Sequence, residues 1–361
     1  MKKINKIFLT GGGTMGSVVP LIAVWEELLR QGYSPERFVW VGTVNGPEKK
    51  FIKNLKIKYR PINAGKIRRY FSWQNFLDII KTLVGLFESL VLIGREQPQI
   101  VISAGGYVSV PVVWAARFFG KKIIVHQQDL RPGLANKIMA PAADIITVAF
   151  EKSVKDFRGH KTRWLGNPVR QELSKVYSLK DQAYKFFNFK EDKPTILVLG
   201  GGTGATFLND LIKESLSRLE SKIQIIHLTG SGKSKQLPAD NQVYKKFEFL
   251  DQEIFFAYAI ADIVISRAGL STLTELSFLG KPTIVVPIPE SHQEDNAQHF
   301  ASQDEIIYLK QKELSAEKLT KIIFDLLSDK KKLQDLSANF KKAMPKEATS
   351  EFIEAVNSLF K

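Results

Sequence analysis

Two stretches of the chain carry residue types at spacings that can hold a phosphorylated sugar. Gly11-Gly12-Gly13-Thr14-Met15-Gly16 satisfies G-x-G-x-x-G after the apolar run Lys6–Thr10 and before a helical pattern. Glycines let the backbone approach an anion closely, and a helix start adds unpaired N–H groups and positive dipole. A dinucleotide would also need an acidic residue closing the second strand. That strand ends Val39-Trp40-Val41-Gly42-Thr43-Val44-Asn45, without a carboxylate, which argues against hydride chemistry on NAD. A glycine turn serving only helix–sheet packing is the plain alternative.

The second stretch is Asp262-Ile-Val-Ile-Ser-Arg-Ala-Gly-Leu-Ser-Thr-Leu-Thr-Glu275. It reads as a strand, then Gly269, then a helix from near Ser271. Ser271 and Thr272 offer hydroxyls and N–H groups to a diphosphate. Glu275, one turn further in, can accept both hydroxyls of a ribose. The same residues also fit an ordinary cap, with Glu275 three positions after Thr272. Gly230-Ser231-Gly232-Lys233-Ser234 ends like a phosphate loop, but the first glycine of that motif would fall at His227. A surface loop is the expectation there.

The elements that must position these turns alternate regularly. Lys6–Thr10, Phe38–Val41, Ile100–Ser103 and Lys122–His126 read as buried parallel strands, separated by helical stretches such as Leu21–Gln31 and Trp73–Arg95. The pattern restarts with Thr195–Leu199, Gln224–Thr229, Ile263–Ser266 and Thr283–Pro287. Thr195-Ile-Leu-Val-Leu-Gly-Gly-Gly-Thr-Gly-Ala echoes the first strand and its glycine turn. The fold class expected is α/β, as two Rossmann-like doubly wound domains facing a cleft. Gly166-Asn167-Pro168-Val169-Arg170 marks the junction. Gln171–Asp192 reads as charged and helical. Ser350–Phe360 carries Phe352, Ile353, Val356 and Phe360 on one helical face that must dock.

Composition narrows the partners. The 361 residues contain no cysteine, which excludes disulfides, thiolate metal sites and cysteine nucleophiles. Lys and Arg outnumber Asp and Glu by 52 to 37, a net charge of +15 that attracts anions. No nucleic-acid module or Arg-rich tail accompanies that charge. The apolar stretch after Met1-Lys-Lys-Ile-Asn-Lys is too short for a secretory core. Phe76–Ile93 is interrupted by Asp78, Lys81 and Glu88, so the chain is expected to be soluble or peripheral. Lys66, Arg68 and Arg69 precede Tyr70, Phe71 and Trp73, a pattern suited to an anionic membrane surface. Behind them, Ile80, Val84 and Phe87 are expected to face the sheet as core. His126 reads as structural, His292 as catalytic or hydrogen-bonded; His160, His227 and His299 carry no signal.

Taken together, the motifs resemble the MurG family of peptidoglycan glycosyltransferases nearly end to end. The matching residues are the first glycine loop, Gly65–Phe71, Ser103-Ala-Gly-Gly-Tyr-Val-Ser-Val-Pro111 and His126-Gln-Gln-Asp129. Gly166–Arg170, the second glycine loop, Arg267–Glu275 and His292-Gln-Glu-Asp-Asn-Ala297 complete them. The resemblance implies a GT-B fold and an inverting transfer of GlcNAc from UDP-GlcNAc to the MurNAc 4-hydroxyl of lipid I, giving lipid II, with neither metal nor other cofactor. It implies an acceptor- and membrane-binding domain over 1–166, with a C-terminal helix near 345–361 packing back on it, and a UDP-GlcNAc domain over 167–344. The donor contacts carried over are Thr14, Met15, Gly16, Asp129, Arg170, Gly202, Leu250, Leu270, Ser271, Thr272, Leu273, Thr274, Glu275 and Gln293. The acceptor contacts are Gly13, Gly105, Gly106 and Tyr107. The partners implied are UDP-GlcNAc, lipid I and the anionic cytoplasmic membrane surface, with peripheral attachment there and no nucleic acid.

Three departures bear on catalysis. Ser17 stands where the family has a histidine, Gln127 and Asp129 where it has Glu and Asn, and Gly202-Thr203 where it has Ser-Gln. Serine has no useful pKa for taking a proton from the acceptor. Asp129 is therefore the candidate base beside Ser17, with plain hydrogen bonding to substrate as its alternative. Competing readings are a UDP-sugar transferase with another lipid-linked acceptor, and a non-catalytic sugar-nucleotide binder.

Overall fold

The computed structural model describes residues 4–66, 73–200 and 205–361, and side chains from Phe76 onward in the helix that begins at Trp73. The chain forms two compact units, residues 1–170 with 345–361, and residues 171–344.

The first unit runs β1 (Ile7–Thr10), α1 (Val19–Arg30), β2 (Phe38–Thr43), α2 (Glu48–Asn54), β3 (Lys58–Ile62), α3 (Trp73–Glu96), β4 (Ile100–Ser103), α4 (Ser109–Phe118), β5 (Lys122–Gln127), α5 (Leu134–Met139), β6 (Ile145–Val148) and β7 (Thr162–Trp164). All seven strands are parallel in the order β3-β2-β1-β4-β5-β6-β7. The central strands are apolar and buried on both faces, as a sheet covered by helices on both sides requires. Thr10 pairs with Val41 and Ser103, and Ser103 with Val125. The exits of β2, β1, β4 and β5 thus form one row, with the direction of winding reversing between β1 and β4, where open α/β sheets bind ligands.

α3 is amphipathic in the opposite sense to the expectation. Asp78, Gly85, Ser89 and Ile93 are its buried positions, while Phe76 (64%), Leu83 (60%) and Phe87 (69%) are exposed, as are Ile80 and Val84. The reason is close packing beneath it. A Cβ at Gly85 would run into the Asn63 carbonyl oxygen, and one at Gly65 into the Asp78 backbone. The Gly65 N–H donates to Thr82 Oγ1 (3.2 Å), and Glu88 accepts from the Asn63 N–H and side chain (2.6 and 2.7 Å). Segment 63–65 lies too near the helix for large side chains, so the small and polar stripe faces inward. Among the described residues, no helix is long and apolar enough to cross a membrane.

The second unit runs α6 (Lys180–Phe187), β8 (Thr195–Leu199), α7 (Thr206–Leu219), β9 (Gln224–Leu228), β10 (Tyr244–Phe247), α8 (Ile254–Ile260), β11 (Ile263–Ser266), α9 (Leu270–Leu279), β12 (Thr283–Val285), α10 (His292–Ala301), β13 (Ile307–Tyr308), α11 (Ala316–Ser328) and α12 (Lys330–Phe340). Its sheet is parallel in the order β10-β9-β8-β11-β12-β13. Ser266 pairs with Leu199, so the winding reverses between β8 and β11 and their exits adjoin. The stretch after β9 leads only into the short 3-10 turn Ser234–Gln236, not into the helix a phosphate loop needs.

Residues 345–361 belong to the first unit through α13 (Ala348–Ser358). Phe352, Ile353 and Val356 join the core that includes Leu21, Trp25 and Leu28 of α1, whereas Phe360 stays partly exposed. Thr349 Oγ1 accepts from the Val169 N–H (3.1 Å) and donates to its carbonyl (2.9 Å).

Candidate active site

The first glycine loop leaves β1 at Thr10 and is held by two side chains. Ser17 Oγ accepts the Gly12 N–H at 3.0 Å and lies 3.5 Å from the carbonyl oxygens of Gly12 and Thr14. The hydroxyl at the histidine position is thus buried and turned into its own loop. Gly13 has φ +81°, and its N–H donates to Glu48 Oε2 at 3.2 Å. Thr14 and Gly16 at the tip remain exposed.

Glu48 is a site residue that motif reading missed. It opens α2 with no exposed surface, and its carboxylate folds back over the end of β2. Oε1 accepts from the Thr43 N–H (2.8 Å), the Thr43 hydroxyl and the Tyr59 hydroxyl (3.3 Å). The carboxylate absent from the second strand is thus supplied by the next helix, and its partners are protein groups. The signal lay in Gly46, where a Cβ would overlap the Glu48 and Thr43 side chains. Burial first, then the Glu48 charge, pushes the Tyr59 phenol far above its ordinary range. Tyr107 is raised by burial, then by Glu48 and Asp78, so its hydroxyl remains a proton donor.

The β4 exit interlocks with this loop. Gly106 has φ +87°, and a Cβ there would stand 2.7 Å from the Gly12 carbonyl oxygen. Only glycine fits such a conformation at so close an approach. Tyr107 lies against Gly13, where a Cβ would meet its ring at 2.5 Å. Asp129 follows β5, half-buried. Gln127 Nε2 donates to the Asp129 carbonyl (2.7 Å), and Gln128 Nε2 to the Ala104 carbonyl (3.1 Å). Asn136 Nδ2 donates to the His126 carbonyl (3.1 Å) and to Gln127 Oε1 (2.6 Å). Both glutamines therefore set the backbone on either side of Asp129.

His126 is fully buried, its ring nitrogens 2.9 Å from Thr147 Oγ1 and from Asn167 Oδ1, and burial pushes it down to about 4. It is neutral and structural. Arg170 is buried, with Nη2 3.0 Å from Glu26 Oε1 on α1. Arg68, Arg69, Tyr70, Phe71, Gly202 and Thr203 lie outside the described residues, as does the Trp73 side chain.

In the second unit the turn after β11 enters α9, with Gly269 as its extended N-cap. Thr272 is half-buried and makes no side-chain cap, so the simple capping alternative does not describe this helix start. Thr274 Oγ1 donates to its own helix at the Leu270 carbonyl (2.8 Å). Two side chains anchor the turn: Asn296 Nδ2 donates to the Ala268 carbonyl (3.3 Å), and Arg267 Nη1 to the Val286 (2.8 Å) and Pro287 (3.1 Å) carbonyls. Glu275 is half-buried and accepts the Tyr258 hydroxyl on Oε2 at 2.7 Å. Gln293 lies in the first turn of α10, its Oε1 accepting from the Ile288 N–H (3.2 Å), and His292 is exposed beside it. Leu250 is buried beyond the exit of β10. Arrayed along one sheet edge, the unit presents an apolar residue, a carboxylate, a helix N-terminus and an amide, a set suited to a nucleotide sugar.

Comparison with known proteins agrees with this reading. Residues 7–148 match the glycosyltransferase family 28 N-terminal domain, and residues 195–352 the family 28 C-terminal domain. The chain is 35% identical over 362 residues to a Clostridium kluyveri protein, covering 98% of this chain and 99% of that one. It is 37% identical over 322 residues to one from Clostridium botulinum, covering 88% and 90%. Both relatives are named UDP-N-acetylglucosamine–N-acetylmuramyl-(pentapeptide) pyrophosphoryl-undecaprenol N-acetylglucosamine transferase. Among solved structures, MurG of Acinetobacter baumannii superposes with TM-score 0.70 at 24% identity, covering 98% and 99%. A Neisseria meningitidis UDP-GlcNAc 2-epimerase bound to UDP-GlcNAc gives 0.72 at 13%, covering 98% and 100%, which speaks to fold alone.

Proposed function

This chain belongs to glycosyltransferase family 28, in its MurG branch, and from that premise we propose that it transfers GlcNAc from UDP-GlcNAc to the MurNAc 4-hydroxyl of undecaprenyl-diphospho-MurNAc-pentapeptide. What carries the reading is the α9 start, where a helix N-terminus and a carboxylate held by Tyr258 stand at the switch point of the second sheet. The start of α9 and Arg170 answer the diphosphate charge, Glu275 takes the ribose hydroxyls, Leu250 flanks the base and Gln293 takes sugar hydroxyls. Thr14, Met15, Gly16, Asp129 and Gly202 complete the donor contacts. Gly13, Gly105, Gly106 and Tyr107 shape the acceptor site, Gly13 by its backbone form, since its N–H is committed to Glu48.

Asp129 is the base of the reaction. It removes the proton of the acceptor hydroxyl as that oxygen attacks the anomeric carbon, and UDP leaves from the opposite face. Ser17 serves instead as the clasp of its loop. The enzyme works at the cytoplasmic face of the membrane, docked through the exposed face of α3 with Lys66 at its edge. The test is purified protein with UDP-GlcNAc and a lipid I analogue, the product read by mass. A product heavier by one N-acetylhexosamine residue is expected. Transfer only to a different lipid-linked acceptor, or UDP-GlcNAc binding without product, would overturn the assignment.

A further inference from the structure

Tyr258 has no part in any motif of the sequence, yet its hydroxyl meets the carboxylate on which the donor reading depends. The side chain is 2% exposed on α8, and it donates to Glu275 Oε2 at 2.7 Å. A buried phenol needs a hydrogen-bond partner, and phenylalanine would fill the same space without that need. Glu275 has three side-chain torsions, and unrestrained it would lose much of that freedom on gripping a ligand. A bond made before the ligand arrives removes part of that cost and sets the plane of the carboxylate.

We infer that Tyr258 is a positioning residue that aims the Glu275 carboxylate at the 2′,3′-diol of a ribose, and so makes the site select ribonucleoside over deoxyribonucleoside diphosphates. The inference rests on the donor role proposed for Glu275. A diol presents two O–H donors with a fixed separation, and a carboxylate held in one plane can accept both. A carboxylate free to turn would meet them only part of the time. A nucleotide lacking both hydroxyls has nothing to gain from the alignment.

The test is calorimetric binding of UDP and of 2′,3′-dideoxy-UDP to the full-length wild type, Tyr258→Phe and Glu275→Gln, with thermal unfolding of each. Wild type should prefer UDP. Tyr258→Phe should weaken UDP by about five- to twentyfold, the scale of one hydrogen bond, and leave dideoxy-UDP unchanged. In turnover it should raise KM for UDP-GlcNAc while leaving kcat and the acceptor KM in place. If wild type shows no preference for UDP, the donor reading of Glu275 fails and the inference with it. If wild type prefers UDP, Glu275→Gln abolishes the preference and Tyr258→Phe retains it in full, the inference alone is overturned. It is equally overturned if Tyr258→Phe weakens both nucleotides alike, the mark of a structural role; that comparison holds whatever the shift in melting temperature.

Discussion

A carboxylate with no exposed surface lies under the first glycine loop, and every oxygen of Glu48 is spent on protein donors. Glu48→Gln would turn an amide NH2 toward the N–H groups of Gly13 or Thr43. Leaving such buried donors unpaired should cost roughly 2–4 kcal/mol, read as a lower urea midpoint; an unaltered midpoint would mean that those donors find other partners. The roles proposed for Asp129 and Ser17 separate at the same scale. Asp129→Asn should lower kcat by about 10²–10⁴-fold with UDP-GlcNAc still bound, the usual loss for a general base. Ser17→Ala removes the acceptor for the Gly12 N–H and the long contacts to the Gly12 and Thr14 carbonyls, all within its own loop, so kcat should stay within about fivefold of wild type, a cost near 1 kcal/mol. A kcat near wild type for Asp129→Asn, or a collapse for Ser17→Ala, would reassign the base.

Among the elements, α3 is the one on whose orientation the proposed membrane docking rests. Its apolar stripe is a helix-period pattern that fits either a core face or an interface. Gly85, Ser89 and the tight approach of segment 63–65 leave no room for Phe76, Leu83 or Phe87 beneath it. Replacing Phe76 and Phe87 by Ser should therefore leave stability nearly unchanged, where burial in the core would make the same changes costly. Binding to phosphatidylglycerol vesicles in a sedimentation assay should fall on the order of tenfold per side chain. Salt should weaken that binding, as should charge reversal at Lys66, Arg68 and Arg69. Vesicle binding that survives both sets of changes would place the membrane contact elsewhere.

At the scale of the molecule, the two units should answer acid differently. His126 in the first unit and His227 in the second are both buried, and burial lowers each from 6.5 to about 4. Below about 6.5 the unfolded chain takes up protons that the folded histidines refuse, so stability falls with pH between about 6.5 and 4. In the second unit Glu305 opposes this: burial raises it from 4.5 to about 7, so it favours the folded state as pH falls across that window. The Glu96 carboxylate, lowered to about 2 by Lys58 and Lys6, loses its contribution only below about 4.5. Between pH 7 and 5 the first unit should lose about 2 kcal/mol, and the second much less. All five tryptophans, at 25, 40, 73, 114 and 164, belong to the first unit. Tryptophan fluorescence in urea should show a midpoint that drops from pH 7 to 5 while the second transition, followed by circular dichroism, stays put. A tryptophan midpoint that does not move would contradict the neutral, buried state of His126.

The amino-acid sequence by itself determined the two parallel sheets, most of their central strands, and the glycine turns at the strand exits. These are short-range properties: β-branched runs, a residue tolerant of positive φ, a helical pattern resuming at once. Strands such as Lys58–Ile62 and Ile307–Tyr308 escaped notice because a sheet edge is short and half-polar and leaves little pattern. Tertiary structure alone decided that Glu48 turns back to Gly13 from the following helix, that Ser17 points into its own loop, and that Tyr258 reaches Glu275 across 17 residues. It decided, too, that the greasy side of α3 faces outward. A parallel sheet gathers sequence-distant turns on one edge, and which side chains then share space depends on how closely the backbones approach, a quantity that no local pattern contains.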